Sequence, residues 1–306
     1  MPLEVNEISS ESSGDVSITD PLKVDQIFPR TVDKVLVGGV GIKGDEATRF
    51  VNIGANDNGA NIVGAVIIGA NAGSATIENS GSGIAIGDNN LPNADNLASN
   101  IAIGFNCMTT ATNTSTNAGA RNNVCIGVGV GANLDGNPAV PNSSSNNTLI
   151  GRFAGTTLTS GYNNICIGNQ AEPANAFDIN TITLGNNSIF SLRCAVQTIT
   201  SLSDKRDKTS VKDLPVGLDF VKGLKPITFE WDERAEGGKK GIKDFGFIAQ
   251  DLKKSQEETD IADTLRLVSE SNPDRLEASY GRLLPIMVKA MQEMSNKIEL
   301  LESKLK

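Results

Sequence analysis

The residues best suited to chemistry lie in the stretch TSLSDKRDKTS, residues 200–210, where serine hydroxyls stand beside lysine, arginine and aspartate side chains. The chain contains no histidine, so a nucleophilic serine would need a neutral lysine or a carboxylate as its base. A lysine is neutral near pH 7 only where burial or neighbouring positive charge lowers its pKa by about 3 units. Lys205 and Arg206 supply positive charge, while Asp204 and Asp207 oppose it. The stretch therefore permits serine–lysine chemistry, and a solvated run of charges is the alternative.

The composition narrows the classes of function. A net charge of -9 argues against nucleic-acid binding, which needs clustered lysine and arginine. The four cysteines, Cys107, Cys125, Cys166 and Cys194, lack the close spacing of metal ligands, so we expect neither a metal nor a cofactor. The acidic start of the chain does not resemble a secretory signal, and no segment approaches the roughly 20 apolar residues of a membrane span. We therefore expect synthesis in the cytoplasm with reduced thiols and no membrane insertion.

A short apolar pattern recurs through residues 51–190. It reads VNIGAN at 51, VIIGAN at 66, IAIGDN at 84, IAIGFN at 101, VCIGVG at 124, TLIGRF at 148, ICIGNQ at 165 and ITLGNN at 182. Each unit alternates in hydrophobicity like a strand, and its Gly and Asn supply the positive φ of a sharp corner. Repeats this short predict stacked coils of the β-roll or β-helix type. The longer intervals, 109–122 and 135–147, are expected to leave the stack.

Equivalent positions of the units carry small residues. Cys125 and Cys166 match each other, as do Ala85 and Ala102, which indicates a narrow interior and predicts that the two thiols are buried and unbridged. Rungs this small bury little surface on their own. We therefore expect a trimeric repeat region, in which the chains could be interlaced.

The repeat region resembles the heads of trimeric adhesins and the shafts of phage tail proteins, in which runs like N-x-AIG recur. The preceding segment, residues 18–45, resembles the short β segments of viral fibre proteins. We accordingly treat residues 1–50 as an N-terminal attachment or short β segment, and residues 51–190 as a shaft or head.

Beyond residue 204 the composition becomes that of a small α+β domain. An amphipathic helix is predicted over 216–223, followed by a strand in which Ile227, Phe229 and Trp231 alternate. The run KDFGFIAQDLKK then predicts a strand that enters a helix near Gly246. Residues 191–203 form the junction between this domain and the repeats.

A long helix ends the chain over residues 281–306, with Pro285 tolerated in its first turn. Apolar residues along it keep alternating spacings of three and four, the a/d pattern of a coiled coil. We call this set the helix seam: Leu284, Met287, Met291, Met294, Ile298, Leu301 and Leu305. The seam predicts partner helices in a homotrimer, and the alternative is that it packs on its own domain.

Four motifs of this domain, SDKRDK, LPVGLDFVKGLKPITFEW, GFIAQDL and YGRLLPIMVKAMQE, resemble the C-terminal intramolecular chaperone of endosialidase-type tailspikes and tail fibres. In that family the domain drives trimerisation of the β-rich part before it. It then releases itself at a Ser-Asp bond with a serine–lysine pair. By motif position the resemblance implies cleavage of the Ser203–Asp204 bond, with Ser203 and Lys208 as the catalytic residues.

The spacing of Ser203 and Lys208 restricts how they can act. Residues five apart lie about 140° apart on a helix and on opposite faces of a strand, so the two meet only across a turn or come from different chains. Attack of Ser203 on its own carbonyl would also close a strained four-membered ring. Ser203 must therefore act on another chain's bond or position water, or the cut lies one bond earlier through an N-to-O acyl shift. We favour chemistry that requires the assembled trimer.

These observations predict a mainly β protein with a small α+β domain and a long coiled-coil helix. The favoured function is a viral tail fibre or spike precursor located on the virion, which binds a host surface receptor, a glycan among the candidates. It would attach to other tail proteins through residues 1–50. The alternative is a trimeric adhesin or appendage of a cell with the same processing domain. A glycan-degrading tailspike is less favoured, because it needs paired carboxylates and the acids of the repeats are scattered.

Overall fold

The computed structural model of the chain describes residues 35–37, 40–43, 51–53, 65–73, 83–93, 99–111, 119–135, 143–196, 199–232 and 239–305. The first part of residues 1–50 therefore lies outside the described residues, as does much of the two intervals that we expected to leave the stack. The described residues divide into a long sheet and a smaller mixed domain.

The repeats form one sheet of ten strands in chain order. The strands are β1 (Val35–Val37), β2 (Val40–Lys43), β3 (Val51–Ile53), β4 (Ala65–Ile68), β5 (Gly83–Ile86), β6 (Ile101–Phe105), β7 (Val124–Val128), β8 (Thr148–Ile150), β9 (Ile165–Ile167) and β10 (Ile182–Leu184). The first three pair antiparallel, and β3 to β10 pair in parallel, each with the next. Parallel neighbours in chain order are the arrangement of a coil, so every unit found in the sequence provides one rung.

The middle residue of each rung points into the coil. Ala102, Cys125, Leu149 and Cys166 are in register from β6 to β9 and are completely buried. As predicted, Cys125 and Cys166 are interior and unbridged. Burial raises the pKa of the Cys125 thiol, and it raises that of Cys166 to about 11. Both thiols therefore remain protonated apolar groups of the core.

The corner after each strand has the predicted backbone conformation. Gly104 has φ 135° and Asn106 has φ 55°. At the same places in other rungs, φ lies between 125° and 141° for Gly69, Gly127, Gly151 and Gly168, and it is 53° for Asn71 and 55° for Asn89. A Cβ on Gly104 would overlap the carbonyl oxygen of Gly127 in the next rung. Glycine is therefore required there both for its φ and for the close approach of neighbouring rungs.

A second asparagine column, which the sequence did not reveal, precedes the strands. Asn147 Oδ1 accepts from the backbone N–H of Asn164 at 3.0 Å, and its own N–H donates to Asn123 Oδ1 at 2.9 Å. The side-chain Nδ2 of Asn147 also donates to Gly161 O at 3.0 Å. All three asparagines are completely buried. The column thus satisfies the backbone N–H groups of the residues that directly precede the strands.

The remaining described elements form the α+β domain. They are a 3-10 helix (Lys205–Asp207), α1 (Leu218–Gly223), β11 (Ile227–Glu230), β12 (Lys243–Gly246), α2 (Ala249–Glu257), α3 (Ala262–Leu265), β13 (Val268–Ser269), β14 (Glu277–Ala278), a second 3-10 helix (Tyr280–Arg282) and α4 (Leu283–Leu305). Two antiparallel pairs, β11–β12 and β13–β14, accompany the helices. The predicted helix at 216–223 begins two residues later than expected, and the strand that enters a helix is β12 followed by α2.

A small apolar core holds this domain together. Its buried members include Leu252 of α2, Leu267, and Leu283 and Ile286 of α4, and Phe220 of α1 packs against them. Among the described residues, no helix is both long and apolar enough to cross a membrane.

Candidate functional site

The stretch singled out for its chemistry folds into one turn of 3-10 helix. Asp204 precedes Lys205–Asp207 and caps it, because its Oδ1 accepts from the backbone N–H of Arg206 at 2.8 Å. Backbone bonds from Asp207 N to Asp204 O and from Lys208 N to Lys205 O, both 3.2 Å, close the turn. Lys208 itself is extended, with φ -122° and ψ 132°. The chain therefore reverses between Ser203 and Lys208.

The turn brings the serine and the lysine of one chain together. Lys208 Nζ lies 2.6 Å from Ser203 Oγ and 3.2 Å from Ser203 O. Of the two routes that the spacing allowed, the structure has the one across a turn. The contacted carbonyl oxygen belongs to the Ser203–Asp204 bond, the bond to which the motif points, and not to the bond before Ser203.

A neutral lysine amine fits both contacts at once. Its lone pair can accept the proton of Ser203 Oγ, while one of its N–H groups donates to Ser203 O and polarises that carbonyl. A protonated amine can only donate, so it would hold the two oxygens without activating the hydroxyl. The arrangement can therefore support nucleophilic attack if Lys208 loses its proton.

Two charges of the turn, those of Asp204 and Arg206, are paired with each other. Arg206 Nη2 lies 2.6 Å from Asp204 Oδ2, and Arg206 Nε lies 3.1 Å from both carboxylate oxygens. The Arg206 side chain and N–H hold the pKa of the Asp204 carboxyl below its usual range, and the same bonds raise the pKa of Arg206. Because Asp204 neutralises Arg206, this arginine supplies little net positive charge to Lys208.

The site is exposed to water in the single chain. Every residue from Ser201 to Ser210 is exposed, and Ser203 and Lys208 rest on no core residue. A solvated lysine lacks the low-dielectric surroundings that favour its neutral form. In the single chain, Ser203 and Lys208 are therefore in contact, but they lack the desolvated surroundings that would favour a neutral lysine.

The helix seam is also exposed. Its members keep between 46% and 87% of their surface accessible, while a different face of α4, formed by Leu283, Ile286 and Ala290, is buried against the domain. The alternative that the seam packs on its own domain is therefore wrong. The seam residues are Leu284, Met287, Met291, Met294, Ile298, Leu301 and Leu305.

One positioning contact was not anticipated from the sequence. Glu293, on the flank of α4, accepts from the backbone N–H of Leu218 at 2.8 Å. It thereby caps α1, whose own N-cap residue, Gly217, has no side chain to do so. A Cβ on Gly217 would lie 2.5 Å from the Glu293 carboxylate. A helix that begins after a glycine needs a cap from elsewhere in the chain, so the sequence indicates that a distant residue caps α1. It does not indicate that this residue is Glu293.

Among the described residues, no group of three histidine, cysteine, aspartate or glutamate side chains lies close enough to hold a metal ion.

Comparison with known protein families finds a match for one segment of the chain. Residues 203–261 match the family model described as chaperone of endosialidase, so the match begins at Ser203 itself. This family is a self-cleaving peptidase domain, and its members take part in trimerisation. No curated protein and no solved structure matched the chain. The resemblance of the repeats to adhesin heads and phage shafts therefore stays a prediction.

Proposed function

Residues 203–261 match the family model described as chaperone of endosialidase, and from this match we propose that the chain is the precursor of a viral tail fibre or spike. Its domain from residue 204 to 306 aligns three copies, promotes folding of the repeats, and is then released by cleavage of the Ser203–Asp204 bond. Ser203 is the nucleophile and Lys208 its base. The contact of Lys208 Nζ with both oxygens of Ser203 is the observation that carries the proposal.

We place the cleavage between neighbouring copies, because attack of Ser203 on its own carbonyl would close a strained four-membered ring. Neutral Lys208 takes the proton of Ser203 Oγ, and Oγ attacks the Ser203 carbonyl carbon of the next copy. The carbon–nitrogen bond to Asp204 then breaks, and the proton passes from Lys208 to the departing nitrogen. Water hydrolyses the resulting ester and restores the serine. Each Lys208 also donates to its own Ser203 O, which prepares that carbonyl for attack by the other neighbour.

Assembly supplies the condition that the single chain lacks. Packing three copies around the seam would bring the three exposed turns close together and remove water from Lys208. Desolvation disfavours the charged form of a lysine, so the base becomes active only after the copies have met. The release is thereby delayed until the chaperone has acted.

The outer face of the coil supports a trimeric repeat region. The residues that flank each inward side chain point outward, and in β6, β7 and β9 they are isoleucine or valine, for example Ile101 and Ile103. These residues are partly exposed in β6 and β7, and exposure rises toward the last rung, where Ile182 in β10 retains 67% of its surface. An aliphatic face that continues over several rungs is a surface that a second copy would cover.

The mature repeats are proposed to bind a host surface receptor, with residues 1–50 joining other tail proteins. A trimeric adhesin of a cell remains the alternative. Cleavage of a glycan is not favoured, because the acids of the described repeats hold turns together. Asp88 accepts from Ala70 N at 3.2 Å, and Glu172 accepts from Thr157 N at 3.0 Å. Asp88 follows β5 and Glu172 follows β9, so these two carboxylates do not form the close pair that glycoside cleavage uses.

Mass spectrometry and light scattering of the freshly expressed chain test the proposal. We expect a trimeric product that ends at Ser203 and a separate fragment that begins at Asp204. The Ser203→Ala variant is expected to give a trimer of the uncut chain. An uncut monomer from the unmodified chain would contradict both the chaperone and the peptidase roles.

A further inference from the structure

The helix seam contains three of the five methionines of the chain. Met287, Met291 and Met294 occupy consecutive seam positions, four and three residues apart, so their thioethers lie side by side on α4. These side chains are 49%, 64% and 46% exposed, whereas Met108 in the coil is completely buried. Among the described residues, exposed thioethers therefore occur only on the surface that is proposed to align three copies.

The cysteines offer an oxidant few alternative targets. Cys107, Cys125 and Cys166 are buried in the coil, and Cys194 is the one exposed cysteine of the four. Cys194 does not belong to α4 or to the helix seam. The seam methionines are thus the accessible sulfur groups whose chemical state bears directly on assembly.

Peroxide changes the property of methionine that a seam requires. The sulfur lone pair attacks one oxygen atom of hydrogen peroxide, an S–O bond forms and the O–O bond breaks. The hydroxide that leaves takes the proton of the transferred oxygen and becomes water, so sulfur loses two electrons and the peroxide gains them. The apolar thioether has then become a polar sulfoxide.

A sulfoxide is compatible with the single chain but not with an assembled seam. On the exposed surface of α4, water satisfies the new oxygen. In a trimer, each methionine layer would place three sulfoxide oxygens among apolar side chains, and the adjacent seam residues, Leu284 and Ile298, have no side-chain donor. A buried acceptor without a donor is unfavourable. The fold of the domain is spared, because a different face of α4 packs against its core.

We propose that Met287, Met291 and Met294 form a peroxide-sensitive modification site that controls assembly. In the unassembled chain, hydrogen peroxide converts these residues to sulfoxides, and the oxidised precursor neither trimerises nor undergoes cleavage. Once three copies have met, the seam covers the thioethers and protects them. Methionine sulfoxide reductases, one for each epimer, reverse the block. The inference rests on the proposed homotrimer and adds a chemical condition for its formation.

The first experiment uses the full chain with Ser203→Ala and Cys194→Ser, shown by light scattering to be a trimer. The protein is unfolded in guanidinium chloride, exposed to hydrogen peroxide, freed of peroxide with catalase, reduced with dithiothreitol and diluted. We expect the yield of trimer to be at least tenfold lower than after the same treatment without peroxide. Methionine sulfoxide reductases A and B, added after dilution, should restore the yield.

Leucine provides a matched control, because exchange of methionine for leucine nearly conserves volume and keeps the seam apolar. The chain with Met287→Leu, Met291→Leu and Met294→Leu retains Met108 and the buried cysteines, so it reports oxidation outside the seam. Its trimer yield should change less than twofold with peroxide. Equal losses in the two chains would overturn the inference. So would an undiminished yield from a chain whose seam sulfoxides are verified by mass spectrometry.

The second experiment requires no refolding. The native trimer and the Met291→Lys variant, in which the charge in the seam should prevent assembly, are treated with hydrogen peroxide. Mass spectrometry of peptides then follows the oxidation of Met287 and Met294, which should be at least tenfold slower in the trimer. Equal rates in a trimer and a monomer would overturn the proposed protection. A parent chain that is a monomer before any treatment would instead overturn the homotrimer, and with it the proposed function.

Discussion

Lys208 reaches Ser203 across a single 3-10 turn, and its Nζ touches both the hydroxyl at 2.6 Å and the carbonyl oxygen at 3.2 Å. Both residues are exposed. The turn is fixed by short-range bonds alone, so the pair forms as soon as residues 203–208 fold. In the proposed mechanism, Lys208 must also be removed from water before it can act as a base. The contact between the two side chains therefore forms before the site becomes active.

The first prediction concerns the base. Lys208→Ala should slow cleavage at least about 100-fold, the usual scale of a lost general base, while leaving the trimer intact. Lys205→Ala is the matched control, since Lys205 lies in the same turn and has no contact with Ser203 in the structure; it should cleave at close to the normal rate. The appearance of the fragment that begins at Asp204 is followed by mass spectrometry. Normal processing by Lys208→Ala would show that a carboxylate or water takes the role of base.

The second prediction concerns acid. Hydrogen bonds from Arg206 lower the pKa of Asp204 below its usual value of 3.8. The cap therefore stabilises the turn at any pH above that value, and this stabilisation is lost as the pH falls through the lower value of the folded turn. In Arg206→Ala the loss should begin at a higher pH, near the usual aspartate value.

The pH dependence of the Asp204 carboxyl resonance, followed by NMR in the uncut Ser203→Ala chain with and without Arg206→Ala, checks this shift. The variant should also cleave severalfold more slowly at neutral pH, because the turn that holds Lys208 is less well capped. Arg206→Lys serves as a control that keeps the charge but loses the forked contact, and it should fall between the two. A titration midpoint of Asp204 that is identical in all three proteins would show that Arg206 does not lower the pKa of this carboxyl.

The third prediction concerns the corners of the coil. Gly104→Ala should lower the apparent unfolding temperature at a fixed heating rate by about 4 °C or more, because the added Cβ meets the Gly127 carbonyl and strains a positive φ. Gly223→Ala is the control, since a Cβ there meets nothing within 4 Å; its effect should stay within about 2 °C. Thermal unfolding followed by circular dichroism compares the two. A stable Gly104→Ala protein would mean that neighbouring rungs lie further apart than the structure has them.

Much of the coil was predictable because its signals are local. The alternation of each unit and its glycine corner, often followed by asparagine, depend on neighbouring residues only. The register of Cys125 with Leu149 and Cys166 follows from stacking equivalent units. The second asparagine column was not predictable in this way. Asn123 and Asn147 look like ordinary corner residues in the sequence, and their role appears only when rungs about 24 residues apart are stacked.

In the candidate site, too, the local features were predictable from the sequence and the choice of partners was not. The residue types and the missing histidine indicated a serine–lysine pair, and the spacing required a turn. The sequence could not say that Asp204 would pair with Arg206, because four charged residues compete within the turn. Nor could it indicate Glu293 as the cap of α1, since that contact joins residues 75 positions apart.

The fourth prediction concerns the helix seam. Met291 is 64% exposed in the single chain, so Met291→Lys should not disturb the domain itself, but it places a charge in the seam and should prevent trimerisation. Gln292→Lys adds the same charge one residue away, outside the seam, and should remain a trimer. Light scattering of the full chain distinguishes them. Because cleavage is proposed to follow assembly, Met291→Lys should also remain uncut, and efficient cleavage of a monomeric variant would show that the turn works within one chain.

The last prediction concerns why a chaperone is made and then removed. Stacked β repeats with many non-local contacts fold slowly and can mispair, so aligning three chains first removes the slow search. After cleavage the guide is no longer joined to the repeats, and the mature trimer persists through a high barrier to unfolding rather than through a reversible equilibrium. Residues 1–203 expressed alone should therefore aggregate, whereas the same segment produced by natural processing should be a stable trimer.

Denaturation of the processed trimer provides the decisive comparison. Once fully unfolded in guanidinium chloride and diluted, it should fail to regain the trimer, because the seam that aligned its chains is absent. The uncut Ser203→Ala chain, treated in the same way, retains the seam and should recover at least in part. Size-exclusion chromatography with light scattering measures both yields. Equal recovery, or efficient trimerisation of residues 1–203 expressed alone, would show that the repeats assemble unaided, and the function of the C-terminal domain would then be limited to its own release.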